Sequence, residues 1–224
     1  MDLKMKETII EETIKALKKF DKEQSKYKLF SINSARLLIG TAAKESDFIY
    51  KKQLGNGPAL SYFQIEPATC YDILTEFVTY PSSGGMKQRK ELLDLMNKIT
   101  KLRIGNVKRE DIKNKDSILQ QELFDNFEFS VFIARLCYYR QNFNLIPNVD
   151  LIKDPIKRAE MVDYIHDLHN MNIIYKGNFN EGVCQKEDLA KLWKRFYNTP
   201  GGKGTTAEFI KSFDRYNLDS VIII

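Results

Sequence analysis

The sequence predicts a mainly α-helical fold that forms one domain over residues 1–224. Three observations support this prediction. Apolar residues recur at helical spacing in several segments, clusters of glycine and proline separate those segments, and no internal repeat or low-complexity linker divides the chain. With 224 residues, 43% of them hydrophobic, the chain can bury a sizeable core without disulfides or metals as staples.

The first half of the chain contains two strongly patterned helices. Residues 2–23 carry an apolar stripe, and a second helix begins after a cap at Ser34 and ends near residues 45–47. Residues 53–58 are rich in breakers and predict a loop, whereas Pro67 predicts the first turn of a third helix. The stripe residues are Ile9, Ile10, Ile14, Leu17 and Phe20 in the first helix, and Ala35, Leu38, Ile39, Ala42 and Ala43 in the second.

The second half alternates helices with breaks. Helices are predicted over residues 86–101, 119–142, 155–170, 186–197 and 205–216. The breaks are residues 81–85, a charged stretch over 102–118 with a short helix, a proline-flanked loop over 148–154 and a glycine-rich stretch over 198–204.

The charge pattern limits the classes of partner. Lys and Arg total 35 and Asp and Glu total 30, which gives a net charge of +5. The lysines are spread along helices beside acids and are not clustered with aromatic residues, so a nucleic-acid-binding module is the least favoured function. The N-terminal segment has acids throughout and is not a signal peptide. No run approaches the roughly 18 apolar residues of a membrane span, so we expect a soluble protein.

The cysteines and histidines do not predict a metal centre. The three cysteines are widely spaced without a CxxC pair, and their odd number argues against a full disulfide framework. His166 and His169 could share a helix face and bind zinc, but no matching cluster accompanies them. Surface histidines on a polar helix are the favoured interpretation, and we expect neither a metal nor a cofactor.

One stretch combines an acid with a glycine-proline loop. Glu45 ends an apolar helix, and partial desolvation there would raise the pKa of its carboxyl, as a general acid near neutral pH requires. The loop at 55–58 follows, where glycine lets the backbone approach a bound ligand closely.

Three blocks around this stretch carry a resemblance to a known family. They are Glu45-Ser46, the segment PALSYFQIEPAT at 58–69, and the segment FYNTPGG at 196–202. They resemble the motifs of lytic transglycosylases and goose-type lysozymes. The segments QLGNGPAL at 53–60 and YNT with GKGT at 197–205 are most similar to lysozyme-like proteins of bacteriophages. Pro58, Ser61 and Thr199-Pro200 depart from the general pattern, where Pro58 and Ser61 replace glycines.

The resemblance implies a lysozyme-like helical fold with a cleft, in which residues 81–118 form an insertion. It also implies cleavage of the β-1,4 bond between N-acetylmuramic acid and N-acetylglucosamine of peptidoglycan, with Glu45 as the catalytic acid and a 1,6-anhydro product. We expect a cleft lined by Glu45, Tyr62, Gln64, Tyr197 and Asn198. The full set of expected substrate-binding residues is Ser46, Ala59, Leu60, Tyr62, Gln64, Glu66, Tyr197 and Asn198.

Other functions and roles stay open at this point. A hydrolytic lysozyme would need a second acid, for which Glu66 and Asp47 are nearby, although Glu66 also suits the start of a helix. An inactive lysozyme-type scaffold of a virion is a further alternative. The expected partners are peptidoglycan strands and, for a virion component, other phage or tail proteins. Trp193 is expected in the core, although a lone Trp can also stack on a sugar.

Overall fold

A computed structural model describes residues 3–82, 85–140, 184–198 and 202–221. These ranges are mainly helical, as the sequence predicts, and contain one short β-hairpin. The predicted helix at 155–170, together with His166 and His169, lies outside them. The helices and strands are α1 (Leu3–Glu23), α2 (Ile32–Ser46), α3 (Pro67–Asp72) continued by a π-helical segment (Ile73–Val78), β1 (Thr79–Ser82), β2 (Gly85–Gln88), α4 (Lys90–Ile99), α5 (Ile118–Asp125), α6 (Phe127–Tyr139), α7 (Lys186–Phe196) and α8 (Thr206–Arg215). Short 3-10 turns cover Ile104–Asn106, Arg109–Ile112 and Leu218–Ser220.

Helix α2 lies at the centre of the described fold. It contacts α1, α6, α7 and α8, and 12 of its 15 residues are buried. Its N-terminus is capped by Ser31, whose hydroxyl accepts from the backbone N–H of Ser34 while the Ser34 hydroxyl accepts from that of Ser31. The predicted cap at Ser34 was therefore wrong by one turn, because either serine of a reciprocal capping box can be mistaken for the cap.

Glycine allows α8 to approach α2 closely. A Cβ added at Gly40 would lie 2.5 Å from the Phe209 ring, closer than side chains can pack. Phe209 also packs against Trp193 of α7, with ring centroids 5.5 Å apart. Helices α2, α7 and α8 therefore share one aromatic core beneath the C-terminal end of α2.

Helix α1 covers the other side of α2. Ile9, Ile10, Leu17 and Phe20 of its predicted stripe are buried, and α1 contacts both α2 and α6. The rings of Phe20 and of Phe132 in α6 pack edge to face, with their centroids 5.7 Å apart. Among the described residues, no helix combines the length and the apolar character needed to cross a membrane.

Two predicted helices differ from those of the structure. The helix predicted over 119–142 is two helices, because Asn126 adopts an extended backbone, accepts from the Phe129 N–H at its side-chain oxygen and donates to the Ile99 carbonyl. Asparagine offers the chain this local alternative to a continuous helix. The first residues of the helix predicted over 86–101 instead pair with 79–82 as an antiparallel hairpin, and α4 begins only at Lys90.

Candidate active site

A cleft with a volume of about 680 Å³ opens at the C-terminal end of α2. Its walls come from the end of α2, the segment 50–69, the end of α6 and the chain around the end of α7. Six of the residues that the sequence singles out line it together: Glu45, Ala59, Gln64, Glu66, Tyr197 and Asn198.

Glu45 lies in the last turn of α2 and is partly buried. Its Oε1 accepts a hydrogen bond of 2.8 Å from the indole N–H of Trp193. Burial raises the pKa of the Glu45 carboxyl, while the Trp193 hydrogen bond and the nearby Lys44 charge oppose that rise. Glu45 therefore keeps its proton to higher pH than a solvated glutamic acid, which is the property of a general acid.

Trp193 lies in the core, as the sequence predicts, with its side chain fully buried. The Lys44 Nζ lies 5.7 Å from the centroid of its ring, and a Cβ added at Gly204 would lie 2.6 Å from it. The indole is therefore held in place while its N–H points at Glu45. No sequence signal marks this pairing, because the two residues are 148 positions apart and Trp193 lies outside the motif blocks.

The segment 47–66 forms a cleft wall with unusual backbone. Five of the six described non-glycine residues with positive φ lie in it: Asp47, Phe48, Asn56, Ser61 and Gln64. Leu60 and Ile65 exchange backbone hydrogen bonds of 2.9 and 2.8 Å around a tight turn. Ser61, at φ 65°, adopts a conformation that favours glycine, which is the residue it replaces in the pattern that the sequence resembles.

Gln64 ties this turn to the chain that follows α2. Its side-chain Nε2 donates to the Tyr50 carbonyl at 2.8 Å and to the Ser61 carbonyl at 2.9 Å. Both amide hydrogens are thus used inside the protein, and Oε1 has no hydrogen-bond partner within the described ranges. Gln64 therefore shapes the wall, and its carbonyl oxygen is the polar atom that remains for a ligand.

Tyr197 joins three walls of the cleft. Its hydroxyl donates to the Phe63 carbonyl at 2.8 Å, and its ring stacks on Tyr138 with centroids 5.2 Å apart. The Tyr138 and Thr41 hydroxyls in turn share a hydrogen bond of 2.7 Å. Burial raises the pKa of Tyr197 well above its ordinary value, so the hydroxyl stays a neutral donor.

Asn198 is fixed by the chain on both sides of it. Its Oδ1 accepts from the Lys194 ammonium at 2.9 Å, and the same ammonium donates to the Gly202 carbonyl at 2.7 Å. A Cβ added at Gly202 would lie 2.1 Å from the Asn198 carbonyl oxygen, so a glycine is required there. The tyrosine-asparagine block is therefore a preformed corner of the cleft.

Three expected binding residues do not line the cleft. Ser46 is buried and its hydroxyl donates to the Ala42 carbonyl at 2.8 Å. The Leu60 side chain is buried, and Tyr62 packs edge-on against Phe127 with centroids 6.2 Å apart. The positive φ at Ser61 redirects the chain, so the residues on either side of it turn into the core.

The two acids near Glu45 in sequence differ in position. The Asp47 carboxylate accepts from Tyr216 at 3.1 Å and from Arg215 at 3.2 Å, and it is not part of the cleft lining. Glu66 lines the cleft beside Pro67 at the start of α3, where its side chain makes no capping hydrogen bond. Only Glu66 remains as a second carboxylate beside Glu45 among the described lining residues.

Several lining residues are not among those that the sequence predicts for the site. Tyr50 and Leu54 stand at the cleft with 42% and 69% of their surface exposed. Cys137 also lines the cleft, but burial raises the pKa of its thiol to about 12, so it offers no nucleophilic thiolate at neutral pH. Lys52, Arg140 and Lys203 complete the polar lining.

Within the described ranges, no group of three or more metal-ligating side chains lies together, and the three cysteines are buried. Comparison with models of protein families, with curated proteins and with solved structures found no match for this chain. The motif blocks and the cleft geometry are therefore what bears on function.

Proposed function

We propose that this chain degrades peptidoglycan by cleaving the β-1,4 bond between N-acetylmuramic acid and N-acetylglucosamine, as a lytic transglycosylase of bacteriophage type. One observation carries the proposal: Glu45, Gln64 and the pair Tyr197 and Asn198 come from three separate motif blocks and line one cleft. In this proposal the protein is made in the host cytoplasm and acts on the cell wall, delivered by a virion or released during lysis.

Glu45 supplies the proton for the first step. Its Oε1 is occupied by the Trp193 N–H, whereas Oε2 has no hydrogen-bond partner in the described part of the chain. The Oε2 proton passes to the bridging oxygen as the bond from that oxygen to C1 of the muramic ring breaks. The N-acetylglucosamine leaves with a hydroxyl, and the carboxylate that forms is stabilised by the Trp193 N–H and the Lys44 charge.

The same carboxylate acts as the base in the second step. It accepts the proton of the C6 hydroxyl of the muramic ring while that oxygen bonds to C1, which closes the 1,6-anhydro ring and restores the protonated acid. No water enters the products. A single residue that alternates between acid and base needs a pKa between those of a free carboxyl and a strong base, which the partial burial of Glu45 favours.

The rest of the cleft provides orientation. Its volume of about 680 Å³ falls within the range of roughly 300–1,000 Å³ found for small-ligand pockets, so a few sugar rings fit. The Gln64 Oε1 and the Asn198 side chain are polar groups at fixed positions, suited to the N-acetyl and hydroxyl groups of a sugar. Holding the sugar rigidly beside Glu45 lowers the entropic cost of the reaction.

A hydrolytic lysozyme is the alternative that a specific observation favours. Glu66 lines the same cleft and could activate water or stabilise the positive charge on the sugar. In that case the products would carry an added water, and loss of the Glu66 carboxylate would abolish turnover.

Digestion of purified peptidoglycan by the wild type and by Glu66→Gln, with the products analysed by mass spectrometry, separates these reactions. A transglycosylase releases muropeptides one water lighter than hydrolysis products, and Glu66→Gln still releases them. Hydrated products that disappear with Glu66→Gln would establish the lysozyme. No release by the wild type at any pH tested would contradict both reactions and favour an inactive structural role.

A further inference from the structure

The cleft lining carries more positive than negative charge. Its cations are Lys44, Lys52, Arg140 and Lys203, and its acids are Glu45 and Glu66, so the described lining has a formal excess of two positive charges (four minus two). The excess is larger while Glu45 keeps its proton. A concave surface with one sign of charge concentrates the opposite charge inside it, so this cleft favours an anionic ligand.

Two of the four cations are already engaged by the protein. The Lys44 ammonium lies 3.7 Å from the Glu208 carboxylate and over the Trp193 ring. The Lys52 ammonium lies 5.0 Å from the centroid of the Phe124 ring. Neither is fully available to neutralise a bound anion.

Arg140 and Lys203 differ from these two. Among the residues that the structure describes, neither side chain has a carboxylate partner, a hydrogen bond or an aromatic ring against its charge, whereas Lys52 has the Phe124 ring. Arg140 ends α6, one turn beyond Cys137. Lys203 lies between Gly202 and Gly204, which are held against Asn198 and Trp193. Each cation is therefore carried by backbone that is fixed next to the groups around Glu45.

From this arrangement we infer that Arg140 and Lys203 bind the carboxylates of the peptide stems of peptidoglycan. The inference rests on the proposed function. A peptide stem is attached to the muramic ring itself, so its carboxylates enter the cleft region together with the scissile bond. The guanidinium of Arg140 suits a planar carboxylate in a bidentate contact, and Lys203 adds a flexible point charge. The ligand of the cleft is thus the peptide-bearing strand, and a bare glycan is a poorer substrate.

The test compares two double variants on two substrates. Arg140→Gln/Lys203→Gln removes the two cleft cations, and Lys113→Gln/Lys115→Gln removes the same net charge at exposed positions outside the cleft lining. The substrates are peptidoglycan freed of phosphate-containing polymers and the same peptidoglycan with its carboxylates converted to amides by a carbodiimide and ammonia. Turnover is measured at low salt, where exposed charge contacts are screened least.

We expect the Arg140/Lys203 variant to lose roughly fivefold to tenfold in kcat/KM on the unmodified peptidoglycan, the sum of two exposed charge contacts. On the amidated substrate it should match the wild type, and the control variant should match the wild type on both. Because Arg140 also lies at a helix C-terminus, its loss can affect stability, and thermal unfolding of each variant accounts for that.

An equal loss on both substrates, or no loss on either, would overturn the inference while the proposed function stands, because the wild type still cleaves. If the wild type cleaves neither substrate, the proposed function is overturned and this inference with it.

Discussion

Two walls of the candidate cleft differ in construction. Helices α2 and α6 are regular and bury 12 of 15 and 10 of 13 residues, respectively. The segment 47–66 has no long helix, and five of its non-glycine residues have positive φ. Such backbone costs free energy and persists only where neighbouring groups hold it. Helices α2 and α6 therefore form a stable helical support, and α2 presents Glu45. The second wall faces the same cleft, and hydrogen bonds of Gln64 and Tyr197 hold its backbone in place.

The largest effect on stability is expected in the helical support. Leu38→Ala removes a fully buried side chain of α2 and should lower the free energy of unfolding by about 3 kcal/mol, with activity per folded molecule unchanged. Gln64→Ala should lower it by only about 1 kcal/mol, because Gln64 is partly exposed, yet reduce activity strongly. Urea unfolding and peptidoglycan turnover measure the two effects. If both variants lowered the free energy of unfolding equally, the helical wall would not be the more stabilising of the two.

A smaller effect should appear at the contact between the walls. Tyr197→Phe deletes the hydroxyl that donates to the Phe63 carbonyl and should cost about 1–2 kcal/mol, together with a loss of turnover as the turn at 61–64 loosens. Tyr138→Phe is the matched control, since its hydroxyl bonds Thr41 inside the helical support. It should cost similar stability and spare turnover. Equal turnover losses in both variants would count against a role of Tyr197 in holding the wall.

Trp193→Phe should change the pH dependence of the reaction. The variant loses the N–H that stabilises the Glu45 carboxylate, so the pKa of Glu45 rises further. Because the acid must be protonated, the alkaline limb of kcat/KM should move to higher pH when this hydrogen bond to a charged group is lost. Phe209→Leu loosens the same aromatic core without touching that bond and should leave the limb in place. If the alkaline limb of the Trp193→Phe profile stays in place, Trp193 contributes only packing and does not tune the pKa of Glu45.

The smallest effect is the pH dependence that Glu45 gives to the free energy of unfolding. Burial raises the pKa of its carboxyl in the folded chain above the ordinary value of 4.5. Below that value the acid is protonated in both the folded and unfolded states, and above it only the unfolded state ionises freely, so stability falls as the pH rises towards the folded pKa. Glu45→Gln removes this dependence and should become progressively more stable than the wild type as the pH rises above about 4.5. Unfolding by urea at several pH values measures the difference, and a difference independent of pH would contradict the raised pKa.

The helices that the sequence predicts best are those with a single clear stripe. Helices α1, α2, α7 and α8 match their predicted ranges within a few residues. The break at Asn126 is different, since apolar residues continue on both sides and only the side-chain hydrogen bonds of Asn126 reveal it. The hairpin at 79–88 depends on pairing between two strands, which helical periodicity cannot reveal.

The residues of the candidate site also divide into those that the motifs predict and those that only the tertiary structure reveals. The motif blocks led to Glu45, Gln64, Tyr197 and Asn198, and these four line one cleft. The same blocks also suggested Tyr62, whose direction depends on the positive φ at Ser61 and cannot be read from a motif. The contact from Trp193 to Glu45 and the position of Arg140 depend on tertiary packing alone, whereas Lys203 lies in the GKGT segment but is not among the predicted site residues.

The most direct test of the central claim compares Glu45→Gln with Asp47→Asn in peptidoglycan digestion. Both variants neutralise a carboxylate at the end of α2, and asparagine tolerates the left-handed backbone of position 47. Loss of a general acid costs roughly 100-fold to 10,000-fold, so Glu45→Gln should release almost no muropeptides while Asp47→Asn digests close to the wild-type rate. Digestion by Glu45→Gln at the wild-type rate, with its unfolding transition intact, would contradict the role of Glu45 as the catalytic acid.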